Sequence, residues 1–209
     1  MTLPRHDDVT EYLSQFSQQI EDFSKEKGVE IKLLKNKEVT KANFEKVIKS
    51  QNYKMVFFNG HGSEDSINGY KETILQAGVN DVLLKDRIVY ARSCHAAVIL
   101  GVKCTENSKE GCFIGYDRPF QFYVDTQWIG NPLKDNTARL FLESSNLIPI
   151  SLIKGNSTSY ADENSKRQML KNIRKIILKP DAESFKLAEA LWNNFEGQVL
   201  KGNPLAKLE

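Results

Sequence analysis

The chain has 209 residues, of which 40% are hydrophobic and 27% charged, a composition typical of a globular protein with one sizeable core. Its 29 Lys and Arg residues nearly balance 27 Asp and Glu residues and are spread along the sequence, which disfavours nucleic acid as a partner. No apolar run approaches the roughly 18 residues that a membrane span requires, so we expect no membrane partner either.

The N-terminal residues and the cysteines favour a reducing compartment. The segment from Met1 to Asp8 lacks the basic stretch and apolar run of a signal peptide, so we expect a cytoplasmic protein or the mature part of an exported one. Cys94, Cys104 and Cys112 are too few, and odd in number, to form a closed disulfide framework. At least one thiol is therefore expected to be free.

The first half of the sequence predicts alternating helices and strands. Apolar residues at spacings of three and four predict an amphipathic helix over Asp8–Lys25 that ends near Gly28. The apolar run Met55–Phe58 is typical of a strand buried on both faces of a parallel sheet. Further strands are predicted over residues 30–34, 87–91 and 111–116, and further helices near Thr40, Asn80 and Ala96.

The second half is predicted to be mostly helical, over residues 136–145, 161–178 and 182–194, with a strand extension or edge piece over 120–124. The alternation favours an α/β fold, a three-layer αβα sandwich around a mostly parallel sheet of about five to six strands. We expect one domain over residues 1–209, with residues 180–209 as a helical C-terminal extension.

Two loops that follow predicted strands carry reactive side chains. Asn59-Gly60-His61-Gly62-Ser63 follows the strand 55–58, and Ser93-Cys94-His95 follows the strand 87–91. Because the carboxyl ends of parallel strands meet at one edge of a sheet, adjacent strands would bring His61 and Cys94 together.

A thiol and an imidazole placed together can act as nucleophile and general base. A free thiol with a pKa of about 8.5 is mostly protonated at neutral pH, whereas an adjacent imidazole stabilises the thiolate and holds a proton for a leaving group. The N–H groups of Gly62 and Cys94, the latter near the helix predicted from Ala96, can receive an oxyanion. Taken alone, Cys94 is better explained as a packed thiol and His61 as a turn residue. Taken together, at two consecutive strand ends, they favour a dyad.

The blocks Met55–Gly62 and Ile88–Cys94 resemble the His-Gly and Cys blocks of the caspase-like cysteine peptidases, the clan of caspases, gingipains, separases and legumains. The likeness is closer to the prokaryotic gingipain-like and CHAT-type members. It covers the chain from Arg5 to Leu178 and is strongest between Met55 and Tyr116.

The resemblance implies a cysteine endopeptidase that acts on a peptide or protein substrate without a cofactor. Cys94 would be the nucleophile, His61 the general acid and base, and the N–H groups of Gly62 and Cys94 the oxyanion hole. Relatives that cleave after Arg or Lys pair the substrate cation with a carboxylate, for which Asp117 and then Asp125 are the candidates. Arg92 can instead orient an acidic substrate.

The sequence departs from the family in two places. The caspase signature Gln-Ala-Cys, followed by one residue and a glycine, is absent, so aspartate specificity is not implied. Family members begin with a strand, for which Met1–Pro4 leaves little room. The missing first strand, together with the lack of an obvious substrate pocket, keeps open a second hypothesis, a catalytically inactive caspase-like α/β module that acts by binding. A regulatory partner or the remainder of a longer chain also stays open.

The remaining reactive side chains have structural interpretations. His95 is expected to pack at a helix start, and His6, Cys104 and Cys112 are assigned to surface, helix and core. A zinc site made of His61, Cys94 and His95 lacks the paired spacing of zinc motifs, so we predict no metal site.

Overall fold

The computed structural model describes residues 1–208, which form an α/β fold around a mostly parallel six-stranded sheet. The strands of this sheet are β1 (Thr2–Leu3), β2 (Leu34–Lys35), β3 (Met55–Asn59), β6 (Ile88–Arg92), β7 (Cys112–Tyr116) and β8 (Gln198–Gly202). The strand order is β2-β1-β3-β6-β7-β8, in which all neighbours are parallel except β7 and β8. The prediction of an α/β fold with a mostly parallel sheet is confirmed.

Six helices flank the sheet within the described residues. They are α1 (Asp8–Glu26), α2 (Lys41–Ser50), α3 (Leu100–Thr105), α4 (Asn136–Ile153), α5 (Thr158–Leu178) and α6 (Ser184–Gly197). Short 3-10 helices cover Asn36–Glu38, Asp81–Leu84, Thr126–Trp128 and Pro132–Lys134. None of the helices in residues 1–208 is long and apolar enough to cross a membrane.

The two faces of the sheet follow from the period of two along a strand. In β3, Val56 and Phe58 point to one face, where α2, α3 and a small hairpin pack. Phe57 points to the other face, against α1, α4 and α5. Each fully buried side chain of this kind stabilises the fold by about 1.5–3 kcal/mol, which explains the continuous apolar run.

Several predicted elements differ from the structure. The first strand is present, because Thr2 pairs with both Leu34 and Phe58 and so lies between β2 and β3. The strand predicted over residues 30–34 is limited to Leu34–Lys35, and residues 120–124 form no strand. The polar segment after Ser63 contains an antiparallel hairpin of β4 (Ser66–Asn68) and β5 (Thr73–Gln76).

The C-terminal segment is helical only in part. After α6, residues 198–202 form β8, which pairs antiparallel with all of β7 and closes that edge of the sheet. The signal was weak, since Val199 and Leu200 are the only strongly apolar residues of this strand. Residues 180–202 thus belong to the body of the fold, not to an appended extension.

Candidate catalytic site

The parallel pairing of β3 and β6 sets the two reactive loops side by side. The register joins Asn59 to Arg92, the last residue of each strand, so His61 and Cys94 both lie two residues beyond the paired ends. The amide of Gly60 donates to the Arg92 carbonyl at 3.3 Å, which extends the pairing into the loops. The two strands are adjacent, which is the condition on which the pairing of His61 with Cys94 depends.

Two glycines allow the histidine loop to lie close to Pro4 on one side and to the cysteine loop on the other. Gly60 has φ +130, a conformation that side chains rarely adopt, and a Cβ there would lie 3.1 Å from the Pro4 ring. A Cβ on Gly62 would lie 2.9 Å from Ser93 Cβ and 3.1 Å from the Cys94 carbonyl oxygen. Gly62 is therefore in direct contact with the backbone of the cysteine loop.

The imidazole of His61 is held by Asp7, a residue that the sequence analysis did not single out. His61 Nε2 lies 2.7 Å from Asp7 Oδ2. Asp7 is also the N-cap of α1, and its other oxygen, Oδ1, accepts from the Thr10 amide at 2.8 Å and from the Thr10 hydroxyl at 2.9 Å. The carboxylate is thus fixed by the helix and directs one oxygen at the histidine.

These contacts keep Asp7 ionised. Partial burial opposes ionisation, but the hydrogen bonds from the Thr10 amide and from His61 outweigh it and lower the pKa of Asp7 to about 2. A carboxylate bound to Nε2 selects the tautomer in which Nε2 carries the proton. The lone pair of the neutral ring then lies on Nδ1, the nitrogen that can accept a proton from a thiol.

Cys94 lies in a turn, not at the start of a helix. The helix expected from Ala96 begins only at Leu100, so the helix dipole invoked for the Cys94 amide is absent and that part of the prediction is wrong. The turn is held instead by carbonyl groups at the end of β7 and just beyond it, since the Ala97 amide donates to Tyr116 and the His95 amide to Arg118. His95 has φ +56, so it shapes the corner and does not begin a helix.

The two N–H groups predicted to form an oxyanion hole have the required freedom. Within residues 1–208, neither the Gly62 amide nor the Cys94 amide donates a hydrogen bond to the protein. The antiparallel bridge between Gly62 and Ile67 uses the atoms of their neighbours, with Ser63 donating to Ser66. Unpaired amides on two half-buried residues suit a negatively charged oxygen.

Arg92 does not face a substrate, and the hypothesis that it orients an acidic one is wrong. The side chain is fully buried and donates only to neutral acceptors. These are Asn59 Oδ1, Ser145 Oγ, Asn146 Oδ1, Ser17 Oγ and the Leu13 carbonyl. Asn59 in turn donates to the Thr2 carbonyl at 3.2 Å, so the network joins β6, β3 and β1 beneath the site.

The acidic candidates for a specificity pocket already have partners. Asp117, 39% exposed, forms an ion pair with Arg118 at 3.2 Å, and Arg118 also pairs with Glu196. Asp125 caps the 3-10 helix that follows it by accepting from the Gln127 amide at 3.2 Å. Asp125 therefore acts as a turn residue, and Asp117 would have to exchange Arg118 for a substrate cation.

The other two thiols have the structural roles predicted for them. Cys104 lies in α3 and Cys112 in β7, and both are buried. Burial raises the pKa of each thiol to about 12. Cys94 is the half-exposed cysteine of the three.

The donors of the zinc set considered above do not converge. His95 Nδ1 lies 3.3 Å from the carbonyl oxygen of Asp117, and within residues 1–208 the set of His61, Cys94 and His95 does not bring three ligand atoms together.

A cavity of about 410 Å³ lies at the amino ends of β1 and β3, between Met1 and Met55, and none of residues 59–63 or 93–95 lines it.

No known protein family, curated protein or solved structure matches the chain. The caspase-like resemblance therefore stays a prediction from the residues that carry it.

Proposed function

We propose that the chain is a cysteine endopeptidase in which Cys94 is the nucleophile and His61, oriented by Asp7, is the general acid and base. The observation that carries the proposal is the close approach of the two loops at Gly62. Gly62, the residue after His61, lies against the backbone of the turn that holds the half-exposed thiol, and His61 itself has a fixed carboxylate partner. Nucleophile, base and an orienting group are the arrangement that thiol catalysis requires.

The chemistry follows from these groups. His61 Nδ1 takes the thiol proton, and the Cys94 sulfur attacks the carbonyl carbon of the scissile bond. The resulting oxyanion is placed to accept from the amides of Gly62 and Cys94. The C–N bond breaks as His61 returns the proton to the leaving amine, and water then hydrolyses the thioester with His61 as base.

A positional peptide library tests this function and reports the residue preferred before the cut. We expect wild type to cleave a subset of the peptides, Cys94→Ala to cleave none, and Cys104→Ala, a matched removal of a buried thiol, to keep the wild-type pattern. Cleavage after Arg or Lys would indicate a carboxylate in the pocket, and Asp117→Asn would then test whether that carboxylate is Asp117. Undiminished cleavage by Cys94→Ala would overturn the proposal.

A catalytically inactive module that acts by binding is the second candidate. One observation favours it, since no hydrogen bond joins Cys94 Sγ to His61 within residues 1–208. Alkylation by iodoacetamide separates the two functions, because thiolate and not thiol reacts. A peptidase dyad predicts labelling of Cys94 well below pH 8.5, with the midpoint moved upward in His61→Ala, whereas a binding module predicts an ordinary midpoint of about 8.5 in both.

The buried thiols provide an internal control for that measurement. Because the pKa of Cys104 and of Cys112 is raised to about 12, their thiolate fraction is minute at neutral pH and grows tenfold with each pH unit. Alkylation of the native protein between pH 6 and pH 9 should therefore add one label per chain, at Cys94. Peptide mass mapping identifies the labelled residue.

A further inference from the structure

The loop before α1 places a second histidine beside the Asp7–His61 pair. His6 Nε2 lies 3.3 Å from Asp7 Oδ2, the oxygen that also contacts His61 Nε2 at 2.7 Å. The three donor atoms lie within 4.8 Å of one another, and no other His, Cys, Asp or Glu triplet in residues 1–208 is gathered in this way.

Two imidazole nitrogens and one carboxylate oxygen form the ligand set of an open zinc site. Ligands of a tetrahedral zinc ion at about 2.1 Å are separated from each other by about 3.4 Å. The 3.3 Å between His6 Nε2 and Asp7 Oδ2 is close to this separation, and the 2.7 Å between Asp7 Oδ2 and His61 Nε2 would lengthen when an ion enters.

The three side chains are positioned for a common ligand before any ion binds. Thr10 occupies Asp7 Oδ1, which leaves Oδ2 for the histidines. The His6 ring packs edge-on against Tyr70, with centroids 6.0 Å apart, and also against the His61 ring at 5.7 Å. The Asp7 and His61 side chains are 37% and 44% exposed, so an ion can reach the group from solvent.

We propose that His6, Asp7 and His61 form a binding site for a divalent transition metal ion of the zinc class, and that the ion switches off the catalytic histidine. The first part stands on the ligand geometry, and the second rests on the proposed function. A ring nitrogen that ligates a metal carries no proton, so the remaining proton of neutral His61 resides on Nδ1. The lone pair that would accept the Cys94 proton is then absent, and Asp7 is withdrawn as the orienting group.

Titration with Co²⁺, followed by competition with Zn²⁺, tests the site without reference to activity. We expect one equivalent to bind to wild type, and binding at least tenfold weaker in His6→Ala and in Asp7→Asn, which retains a good capping residue. The matched controls His95→Asn and Cys94→Ala should bind as wild type does. Absence of saturable binding to wild type, or wild-type affinity in His6→Ala, would overturn the proposal.

The same titration distinguishes a different ligand set. Loss of binding in Cys94→Ala or His95→Asn, together with an intense thiolate-to-cobalt absorption band, would place the ion on the cysteine and contradict the assignment. Circular dichroism of each variant shows whether the fold is retained.

The switching effect is read from Cys94 itself. We expect one equivalent of Zn²⁺ to slow both peptide hydrolysis and the alkylation of Cys94 at least fivefold in wild type, and to have no such effect in His6→Ala. If wild type binds the metal as described but cleaves no peptide, the peptidase assignment fails while the metal site stands. If wild type binds the metal and cleaves peptides, but Zn²⁺ slows neither the hydrolysis nor the alkylation of Cys94, only the switch is overturned.

Discussion

The histidine side and the cysteine side of the candidate site are held in different ways. His61 has a side-chain partner, Asp7, which is itself fixed by the first turn of a 19-residue helix. Cys94 has no such partner, and its turn is positioned by backbone bonds to the end of β7. Beside it, the buried hydroxyl of Ser93 also has no hydrogen-bond partner in the described residues.

This difference indicates that the base is oriented by side chains and the nucleophile by the backbone. A substitution on the histidine side should therefore remove one side-chain contact and leave the rest of the site in place. On the cysteine side, the sensitive positions should be those where the backbone approaches closely. Four variants test this comparison.

Arg92→Met should have the largest effect, because the guanidinium supports both sides from below. Its removal leaves the buried acceptors of Asn59, Ser145 and Asn146 with fewer donors, and orphaned acceptors of this kind cost about 1–3 kcal/mol each. We expect the free energy of unfolding to fall by about 3 kcal/mol, measured by urea denaturation. Arg167→Met, at an exposed position of α5, is the control, and equal stability of the two variants would contradict the role of the network.

Gly62→Ala should come next, with its effect on the geometry between the two loops. The added methyl group meets Ser93 Cβ at 2.9 Å, so one loop must move, and a displacement of about 1 Å at a catalytic group can cost 100-fold in rate. We expect kcat/KM for peptide hydrolysis to fall by about that factor. Gly130→Ala, where a Cβ meets nothing within 4 Å, should match wild type. A similar loss in both variants would argue against the contact.

Asp7→Asn should have a moderate effect confined to the histidine side. Asparagine preserves the helix cap but loses the charge, and a hydrogen bond to a charged group is worth about 1.5 kcal/mol. We expect kcat to fall about tenfold with little change in the melting temperature. Asp8→Asn, one residue along and exposed, is the control for charge alone. An unchanged kcat would remove Asp7 from the catalytic group.

Asp117→Asn should have the smallest effect. The carboxylate is exposed and already paired with Arg118, and an exposed ion pair contributes at most about 1 kcal/mol. We expect KM for a peptide with Arg before the cut to rise by no more than about fivefold. A rise of two orders of magnitude would show instead that Asp117 binds the substrate cation directly.

The parts of this structure that the sequence could predict are those governed by local pattern. The helix over Asp8–Glu26 follows from apolar periodicity and the buried strand β3 from its continuous apolar run. The placement of His61 and Cys94 at neighbouring strand ends follows from the parallel sheet. The two-residue strand β1 has no periodic signal. It is formed because its neighbours on both sides supply partners.

The contacts that the sequence analysis missed are long-range. Asp7 could have been identified as a helix cap from its spacing to Thr10, but its contact with His61 spans 54 residues and depends on β1 lying beside β3. The composition of residues 96–99 predicts a helix that begins too early, because in the structure the Ala97 amide donates to the Tyr116 carbonyl and the Ile99 amide to the Glu64 carbonyl, which hold these residues in turns. Tertiary structure overrides local propensity at these positions.

The side chain of Arg92 donates to Asn59, which in turn donates to the Thr2 carbonyl, and these bonds link the three strands whose following loops carry Cys94, His61 and Asp7. The buried Arg92 cation has only neutral hydrogen-bond partners. Opening any one strand end would remove some of these acceptors while the charge stays buried away from water, which is costly, so we expect the three strand ends to open together. Hydrogen exchange at the amides of Phe58, Ala91 and Leu3 should therefore require the whole domain to unfold, while the loops beyond them exchange locally. The loops that carry Cys94, His61 and Asp7 would then move relative to a set of strand ends that is either fully folded or fully unfolded.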